Sequence, residues 1–519
     1  MRSDREAPAR ARGGAAFRGG VESPWPWAVL AWVALLVAIV VSFTPAVPVI
    51  WGDTPPFVES ALRTLEAGRP TVAGGRDPGY PAFLAMTFAF GGDLETVVRL
   101  QQAAWAVLVL ALAATAQAAT RNAGGLVPII LVATYPGLLL FRNVITAELL
   151  FAVFLNLATA GLLVATCVGK TARCCAVAAS VLCAALAACL RSQGVLVPIA
   201  AVLLGTCLVR PYTSARLTVM AVSVAAALAL LAAGSRFGTS YSDQASAVFV
   251  PKTLFCNHLN IVLASDAARH EIASAAGDRA DATMARLAAD FAAEPGRWPV
   301  LGFFGDACLF DTALDRDITG DSGNAVGAAA AYRRIFLAAM RDRPLAYAGK
   351  FVRQMAYGVS VAWPPYGLEP AIPVSTDDVP HVSDIMTRHG RVAQPIDLQG
   401  GPVRIGLLAD SPGISAYLFR ALSAAFVIAV IFWTVTAVRR RRPGFLTRAG
   451  IVLVMWAASI ATAAGAHTLD VWRYLIPAVP MVGLMLSLFA IELARLIRLL
   501  CQHAAPARPE LRGRSPARS

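Results

Sequence analysis

A series of apolar runs, several of them long enough to cross a bilayer, constrains this chain more than any other feature. The first extends from Trp25 to about Val49. The others lie near residues 99–120, 125–141, 148–168, 174–190, 194–209, 217–234, 416–438, 449–466 and 474–494. A helix needs about 20 apolar residues to cross the hydrocarbon core. We therefore expect an all-α polytopic membrane protein with about ten transmembrane helices.

The charge of the chain supports membrane topology rather than nucleic-acid binding. The 519 residues are 57% hydrophobic and only 15% charged, with a formal net charge of +13. The arginines cluster beside apolar runs, at residues 2–18, 439–442 and 495–518, without the regular interleaving of aromatic residues that could stack on bases. We interpret these clusters as topology signals and contacts with anionic membrane lipids.

The loops alternate in charge as a consistent topology requires. The basic residues Lys170, Arg173, Arg210, Arg216 and Arg448 and the block 439–442 fall on the side of the N-terminus. Asp53, Glu148, Arg191, the long segment 235–415 and the stretch 467–473 fall on the other side. By the positive-inside rule both termini are then cytoplasmic.

The same pattern divides the chain into five parts. We expect a disordered basic tail over residues 1–24, an N-terminal transmembrane module over 25–234 whose first outer loop is 51–98, and an extracytoplasmic region over 235–415. C-terminal transmembrane helices over 416–498 and a second basic tail over 499–519 complete the chain.

The first outer loop contains two short helical patterns. In WGDTPPFVESALRTL, Thr54 can cap a helix, Pro55 fits its first position and Gly68 can end it. Glu59 and Arg63 would then form an i, i+4 pair. The run from about residue 80 to 90 is too short to cross a bilayer. We expect both segments to be interfacial helices on the membrane surface.

The extracytoplasmic region is predicted to be mainly helical. Its stretch YRRIFLAAMRDRPLAYAGKFVRQMAYG mixes cations with apolar and aromatic residues, which suits a helix lying on the bilayer surface. Cys256 and Cys308 are the two cysteines of this region, and one disulfide could form there in an oxidising compartment.

Several charged residues near the outer ends of spans have ordinary structural explanations. We give these explanations about the same weight as a role in function. Asp53 could favour a helix dipole, Glu148 could be a first-turn glutamate, and Arg191 could extend toward the interface. Arg76 and Asp77 could form a surface pair, and Arg473 could be a topological stop. His258 and His467 are expected to be structural, since no second histidine lies at ligand spacing.

Taken in order, these residues resemble the GT-C superfamily of membrane glycosyltransferases, in particular bacterial protein mannosyltransferases and aminoarabinose transferases. The motifs are Asp53 after the first span, Tyr80-Pro81 opening the next helix, Glu148 at the start of a later span, RSQGVLVP at Arg191, and DVWRYLIPAVP with Arg473 and Tyr474 before the last span. The resemblance covers roughly residues 25–210 and, more weakly, the final spans.

The resemblance implies transfer of a hexose or pentose from a polyprenyl-phosphate donor to a glycan, lipid or protein acceptor outside a bacterial plasma (inner) membrane. Asp53 and Glu148 would be catalytic, and Arg76, Asp77, Tyr80, Arg191, Arg473 and Tyr474 would bind substrate. Relatives often have a second acid where this chain has Thr54. The resemblance therefore leaves it open whether a divalent cation takes part, and no other cofactor is expected.

Other functions stay open at this level. A lipid-linked glycan polymerase or ligase would use the same donors at the same surface. A transporter usually has ionisable residues near the membrane midplane, which are almost absent from these spans. A membrane anchor or assembly protein that binds a partner through residues 235–415 would also be compatible with the composition.

Overall fold

A computed structural model describes most of the chain as helices. It describes residues 25–43, 46–69, 71–72, 76–133, 138–139, 141–209, 214–240, 244–293, 306–309, 311–319, 325–359, 378–390, 412–439, 443–466 and 474–504. Within these ranges there is no strand, and the β-type pairing is confined to an isolated parallel bridge between Val49 and Val144. The all-α prediction is confirmed.

The helices of the N-terminal half are α1 (Trp25–Phe43), α2 (Thr54–Ala67), α3 (Gly79–Ala89), α4 (Leu94–Thr120), α5 (Val127–Ala133), α6 (Glu148–Ala165), α7 (Lys170–Leu190), α8 (Leu196–Leu208) and α9 (Ser214–Ser240).

Shorter helices follow: α10 (Gln244–Cys256), α11 (Leu259–Leu263), α12 (Asp266–Ala276), α13 (Ala280–Ala293), α14 (Asp306–Leu309), α15 (Thr312–Thr319), α16 (Ala325–Asp342), α17 (Pro344–Val359) and α18 (Asp378–Arg388). The chain then forms α19 (Pro412–Val438), α20 (Pro443–Ala466) and α21 (Val479–Ala504).

Seven of the described helices are long and apolar enough to cross a membrane. They are Leu94–Thr120, Glu148–Ala165, Lys170–Leu190, Arg216–Ala233, Arg420–Val438, Pro443–Ala466 and Ile476–Cys501. Two shorter apolar helices, Ala28–Val40 and Ser192–Leu208, account for two more of the ten predicted runs. The run near 125–141 contains α5, and part of it lies outside the described residues. The chain is a polytopic membrane protein.

The first outer loop contains the two short helices that the sequence predicts. Helix α2 ends at Gly68, whose φ of 60° is the left-handed conformation that glycine adopts most easily. The Glu59 carboxylate accepts a hydrogen bond from Arg63 at 2.5 Å, as the i, i+4 spacing indicates. Helix α3 is 11 residues long and leaves Met86 and Phe90 exposed. It is therefore too short to span a bilayer.

A second hydrophobic core, separate from that of the transmembrane helices, lies in the region after α9. Its buried residues come mainly from α10, α11 and α16, with Phe255, Val262 and Tyr332 among them. Cys256 and Cys308 form a disulfide that closes this core. The helical character predicted for this region is present, and so is the disulfide that the sequence left open.

The stretch expected to be one surface helix is divided between two helices. Pro344 separates α16 from α17, since proline lacks the N–H that would continue the helix. Tyr332 and Ile335 of α16 are buried in the second core. Helix α17 instead packs against α20. The prediction of a single continuous helix was wrong here because a proline and a change of packing partner interrupt it.

Candidate active site

An ion pair connects two residues of the first outer loop, Asp53 and Arg76. The Asp53 carboxylate lies 2.7 Å from the Arg76 guanidinium, and both side chains are half-buried. Asp53 directly precedes α2, but its side chain makes no capping hydrogen bond. Arg76 therefore holds this carboxylate, and Arg76 does not form the surface pair with Asp77 that was considered from the sequence.

The Arg76 guanidinium lies between two aromatic rings. Its Cζ is 5.7 Å from the centroid of Phe57 in α2 and 5.8 Å from that of Phe249 in α10. Cation–π contacts of this kind restrict a guanidinium and stabilise its charge. The region after α9 thus supplies a residue to the site formed by the first outer loop.

A second acid–arginine pair connects α6 to the end of α7. The Glu148 carboxylate, at the N-terminus of α6, is bound by the guanidinium of Arg191, which directly follows α7. The Arg191 Cζ also lies 5.2 Å from the ring centroid of Tyr474. Three residues predicted for the site from distant parts of the sequence are therefore in contact.

Asp77 links the two pairs. Its Oδ2 accepts a hydrogen bond of 2.8 Å from the backbone N–H of Ser192, the residue after Arg191. Burial raises the pKa of Asp77 above its ordinary value of 3.8, while the Ser192 hydrogen bond and the charge of Arg191 act in the opposite direction. Arg76 precedes Asp77 in the chain, and Arg191 precedes Ser192. The hydrogen bond between Asp77 and Ser192 therefore holds the segments of both arginines together at one end of the helix bundle.

Gly79 allows this link to form. A Cβ at Gly79 would lie 2.6 Å from the carbonyl oxygen of Cys189, at the end of α7. The start of α3 therefore lies directly against the α7 backbone that leads into Arg191. Only glycine permits so close an approach.

Tyr80 is buried and serves as a hydrogen-bond donor. Its hydroxyl donates to Gln101 Oε1 at 2.7 Å, and Gln101 Nε2 donates to the carbonyls of Arg142 and Val144. Burial raises the pKa of Tyr80, so the hydroxyl keeps its proton. This network joins α3 and α4 to the segment that leads into Glu148.

Thr54 is the one residue of the loop whose predicted local role was wrong. Its hydroxyl does not cap α2. It accepts from the backbone N–H of Trp51 at 2.9 Å and donates to the carbonyl of Ile145 at 3.0 Å. The loop segment in front of α2 is thereby attached to the segment before Glu148, which a local capping rule does not anticipate.

The described residues do not fit a divalent metal. Among them no three His, Cys, Asp or Glu side chains come together in a way that could hold an ion. The Oδ1 atom of Asp53 is bound by Arg76, and the hydroxyl of Thr54 is hydrogen-bonded elsewhere. We therefore assign no metal step to this site.

Some polar atoms of the site have no hydrogen-bond partner within the part of the chain that the structure describes. These buried atoms are Arg76 Nε, Thr146 Oγ1 and Gln193 Oε1. Gln193 also donates to the carbonyls of Ser459 at 3.2 Å and Tyr474 at 2.7 Å. Buried polar groups are nearly always hydrogen-bonded, so these atoms offer capacity for a bound ligand or water.

Sequence reasoning missed Gln101, Gln193 and Phe249. The two glutamines could have been noticed as polar residues within or beside apolar runs. Phe249 gives no such signal, since it lies in a helix without a motif. Arg473, predicted to bind substrate, and His467 lie outside the described residues. His258 is buried against Phe336 and Tyr347 and accepts from Lys350 through Nε2 at 2.9 Å.

With this geometry in view, the structure can be compared with known proteins. It is similar to the archaeal oligosaccharyltransferase AglB from Archaeoglobus fulgidus, solved with an inhibitory peptide and a dolichol-phosphate, at 14% identity and a TM-score of 0.40. That match covers 94% of this chain and 52% of AglB, so the chain spans about half the length of that protein.

A second similarity is to ArnT from Cupriavidus metallidurans bound to undecaprenyl phosphate. The identity is 14% and the TM-score 0.32, over 94% of this chain and 82% of ArnT. No protein-family model matches the sequence, and the comparison with curated proteins finds no match.

Proposed function

We propose that this chain is a membrane glycosyltransferase. It moves a hexose or a pentose from a polyprenyl-phosphate-linked donor to a glycan, lipid or protein acceptor outside the cytoplasm. One observation carries the proposal: the pairs Asp53–Arg76 and Glu148–Arg191 meet through Asp77 at one end of the bundle. A site for this reaction needs a carboxylate for a proton and guanidinium groups for a phosphate.

Each half of the site has a role in the transfer. The acceptor oxygen bonds to the anomeric carbon of the sugar, and the bond between that carbon and the phosphate oxygen breaks. The electron pair stays on the leaving polyprenyl phosphate, and the acceptor proton passes to the Asp53 carboxylate. A general base must lie within hydrogen-bond reach of that proton, and Asp53 is half-buried at the entrance to α2.

The leaving phosphate requires positive charge, which Arg191 supplies. Guanidinium groups bind phosphate oxygens in a bidentate manner. Glu148 is buried and paired with Arg191, so its part in the proposal is to orient that guanidinium. The ring of Tyr474 also packs against Arg191. The phosphate would then bind to an Arg191 guanidinium that is already positioned.

The location of the site suits a lipid-linked substrate. The paired residues lie at the ends of apolar helices and beside the short helices α2 and α3. A polyprenyl tail would remain in the bilayer while its phosphate reaches the interface. We place both termini in the cytoplasm of a bacterial cell and the site on the opposite face of its plasma membrane, following the charge pattern of the loops.

A transfer assay in detergent tests the proposal. Purified protein is incubated with a panel of polyprenyl-phosphate sugars, and the wild type is compared with Asp53→Asn and Glu148→Gln. We expect Asp53→Asn to lower the rate about 100-fold or more, as loss of a general base does. Glu59→Gln is the matched control, because Glu59 is an acid of α2 that pairs only locally with Arg63.

Two results would count against the proposal. If Asp53→Asn and Glu148→Gln fold normally and keep full transfer activity, the site is assigned to the wrong residues. If the wild type transfers none of the sugars but takes up solutes in reconstituted vesicles, the chain is a transporter.

A further inference from the structure

Helix α17 runs antiparallel to the C-terminal half of the membrane-spanning helix α20. Near the start of α17, the Tyr347 hydroxyl donates to the carbonyl of Gly465 at 3.2 Å. Near its end, a Cβ on Gly358 would lie 3.3 Å from Ile460 and 3.5 Å from Trp456. Small residues thus allow the two helices to pack closely, as they do between helices in membranes.

The contact with Trp456 lies near the middle of α20. Trp456 is ten residues before Ala466, the last residue of α20. At 1.5 Å per residue this is about 15 Å along the helix. The hydrocarbon core is about 30 Å thick, so the end of α17 lies beside the middle of a spanning helix.

Helix α17 does not separate polar from apolar residues as a helix on a water-soluble surface does. Lys350 is 1% exposed, and its ammonium lies 2.9 Å from Nε2 of His258. Gln354, one turn further on, is fully buried. On the outside of the helix Leu345 and Val352 are 86% and 63% exposed. A helix in water turns its apolar face inward, whereas α17 buries Lys350 and Gln354 beside the inward-packed Phe351 and Met355 and leaves Leu345 and Val352 on the outside.

Arg353 is the exposed cation on this outer side, and its direction fits a bilayer. Its Nη1 approaches Gly349, one turn closer to the N-terminus of α17. The side chain therefore points back toward the end of α17 that lies beside the end of α20. Long cationic side chains extend in this way from apolar surroundings toward the interface.

We propose that α17 is embedded in one leaflet of the bilayer, with Leu345 and Val352 in contact with lipid acyl chains. It descends beside α20 to about the midplane and does not cross. On its buried side, Lys350 faces His258 in the region after α9. The second core is thereby anchored in the membrane by an apolar helix as well as by the chain connections to α9 and α19.

Cysteine accessibility in lipid nanodiscs tests this placement without requiring any enzymatic activity. The exposed Cys175, Cys207 and Cys501 are first replaced by serine. Val352→Cys is then compared with Val326→Cys, because Val326 is a valine of similar exposure, 70%, on α16. A membrane-impermeant maleimide should modify Val352→Cys about tenfold more slowly than Val326→Cys, since water is excluded from the hydrocarbon region.

The outcomes separate lipid from other occupants of this surface. Equal labelling of both cysteines after SDS denaturation shows that they are equally reactive once exposed. Equal labelling in intact nanodiscs would mean that Val352 faces water, and the proposal would be overturned. Lipids with a diazirine in the acyl chain should cross-link to residues 351–353. If α17 were instead cross-linked to a second copy of the chain or to another protein, the surface would be a protein interface and the proposal would again fail.

Discussion

Glu148 and Arg191 form an ion pair in which the acid is far more deeply buried than the base. The side chain of Glu148 is 1% exposed and that of Arg191 is 15% exposed. A buried carboxylate that loses its cation has no water to replace it, while a partly exposed guanidinium can be hydrated. Removal of the two partners should therefore have unequal effects.

Arg191→Gln is expected to destabilise the protein by about 3 kcal/mol, because it leaves the Glu148 charge buried without its cation. Glu148→Gln should cost clearly less, since it removes the buried charge. Melting temperatures in detergent, followed by tryptophan fluorescence, measure both effects. The double variant should be more stable than Arg191→Gln alone. If Glu148→Gln proved the more harmful single change, the carboxylate would have stronger partners than Arg191.

Phe249 is expected to support transfer through Arg76, if the proposed function is correct. Phe249→Leu keeps an apolar side chain but removes the ring that lies 5.8 Å from Arg76. A cation–π contact is worth about 0.5–2 kcal/mol, so kcat/KM for the lipid donor should fall about 2- to 30-fold. Phe249→Tyr retains a ring and should restore most of it.

The control for Phe249 is its exposed neighbour. Val250→Ala changes a residue of the same helix that contacts nothing in the site, and it should leave kcat/KM unchanged. The effect of Phe249→Leu should also disappear in an Arg76→Gln background, because the contact is then already lost. A loss of equal size in both backgrounds would indicate that Phe249 acts only on the packing of α10.

Elements that depend on local pattern could be predicted from the sequence. The apolar runs gave the spanning helices α4, α6, α7 and α20, since length and hydrophobicity suffice there. The Gly68 helix end and the Glu59–Arg63 pair follow from rules that extend over one turn. Asp53, Glu148 and Arg191 could be selected because the alternation of loop charges places them on one side.

The partners of those residues could not be predicted. Arg76 and Asp77 are adjacent in sequence, but they bind Asp53 and Ser192, respectively, because Gly79 brings their segment against the end of α7. Thr54 fits a capping position, yet its hydroxyl bonds to a carbonyl 91 residues away. The partners of these residues are decided by packing between helices. The structural preferences of single residues do not predict that packing.

The stability of the protein should depend on the ionisation of Asp77. Its pKa is raised by burial above the ordinary value of 3.8. At a pH between 3.8 and the higher pKa of Asp77 in the folded chain, the folded chain holds a proton that the unfolded chain has released. Stability therefore falls as the pH rises through that window and levels off above it. Asp77→Asn should reduce this fall, because the amide oxygen still accepts from Ser192 without a charge.

Melting temperatures measured in steps from about pH 4 to pH 7 check the Asp77 prediction. Asp266→Asn, at an acid that is exposed on α12, serves as the comparison. It should leave the pH dependence close to that of the wild type. If Asp77→Asn and Asp266→Asn gave the same profile as each other, the ionisation of Asp77 would not control the pH dependence.

Gly79→Ala should impair both stability and activity, because the added methyl group would lie 2.6 Å from the carbonyl of Cys189. The backbone of α7 cannot move aside cheaply, so α3 must shift and carry Arg76 and Asp77 away from Asp53 and Ser192. Overpacking of this kind costs about 1–3 kcal/mol.

Gly169→Ala is the matched control, since a Cβ there meets nothing within 4 Å. The melting temperature and the transfer rate should both fall for Gly79→Ala and stay near wild type for Gly169→Ala. Normal transfer by Gly79→Ala would show that the contact between α3 and the end of α7 does not position the site.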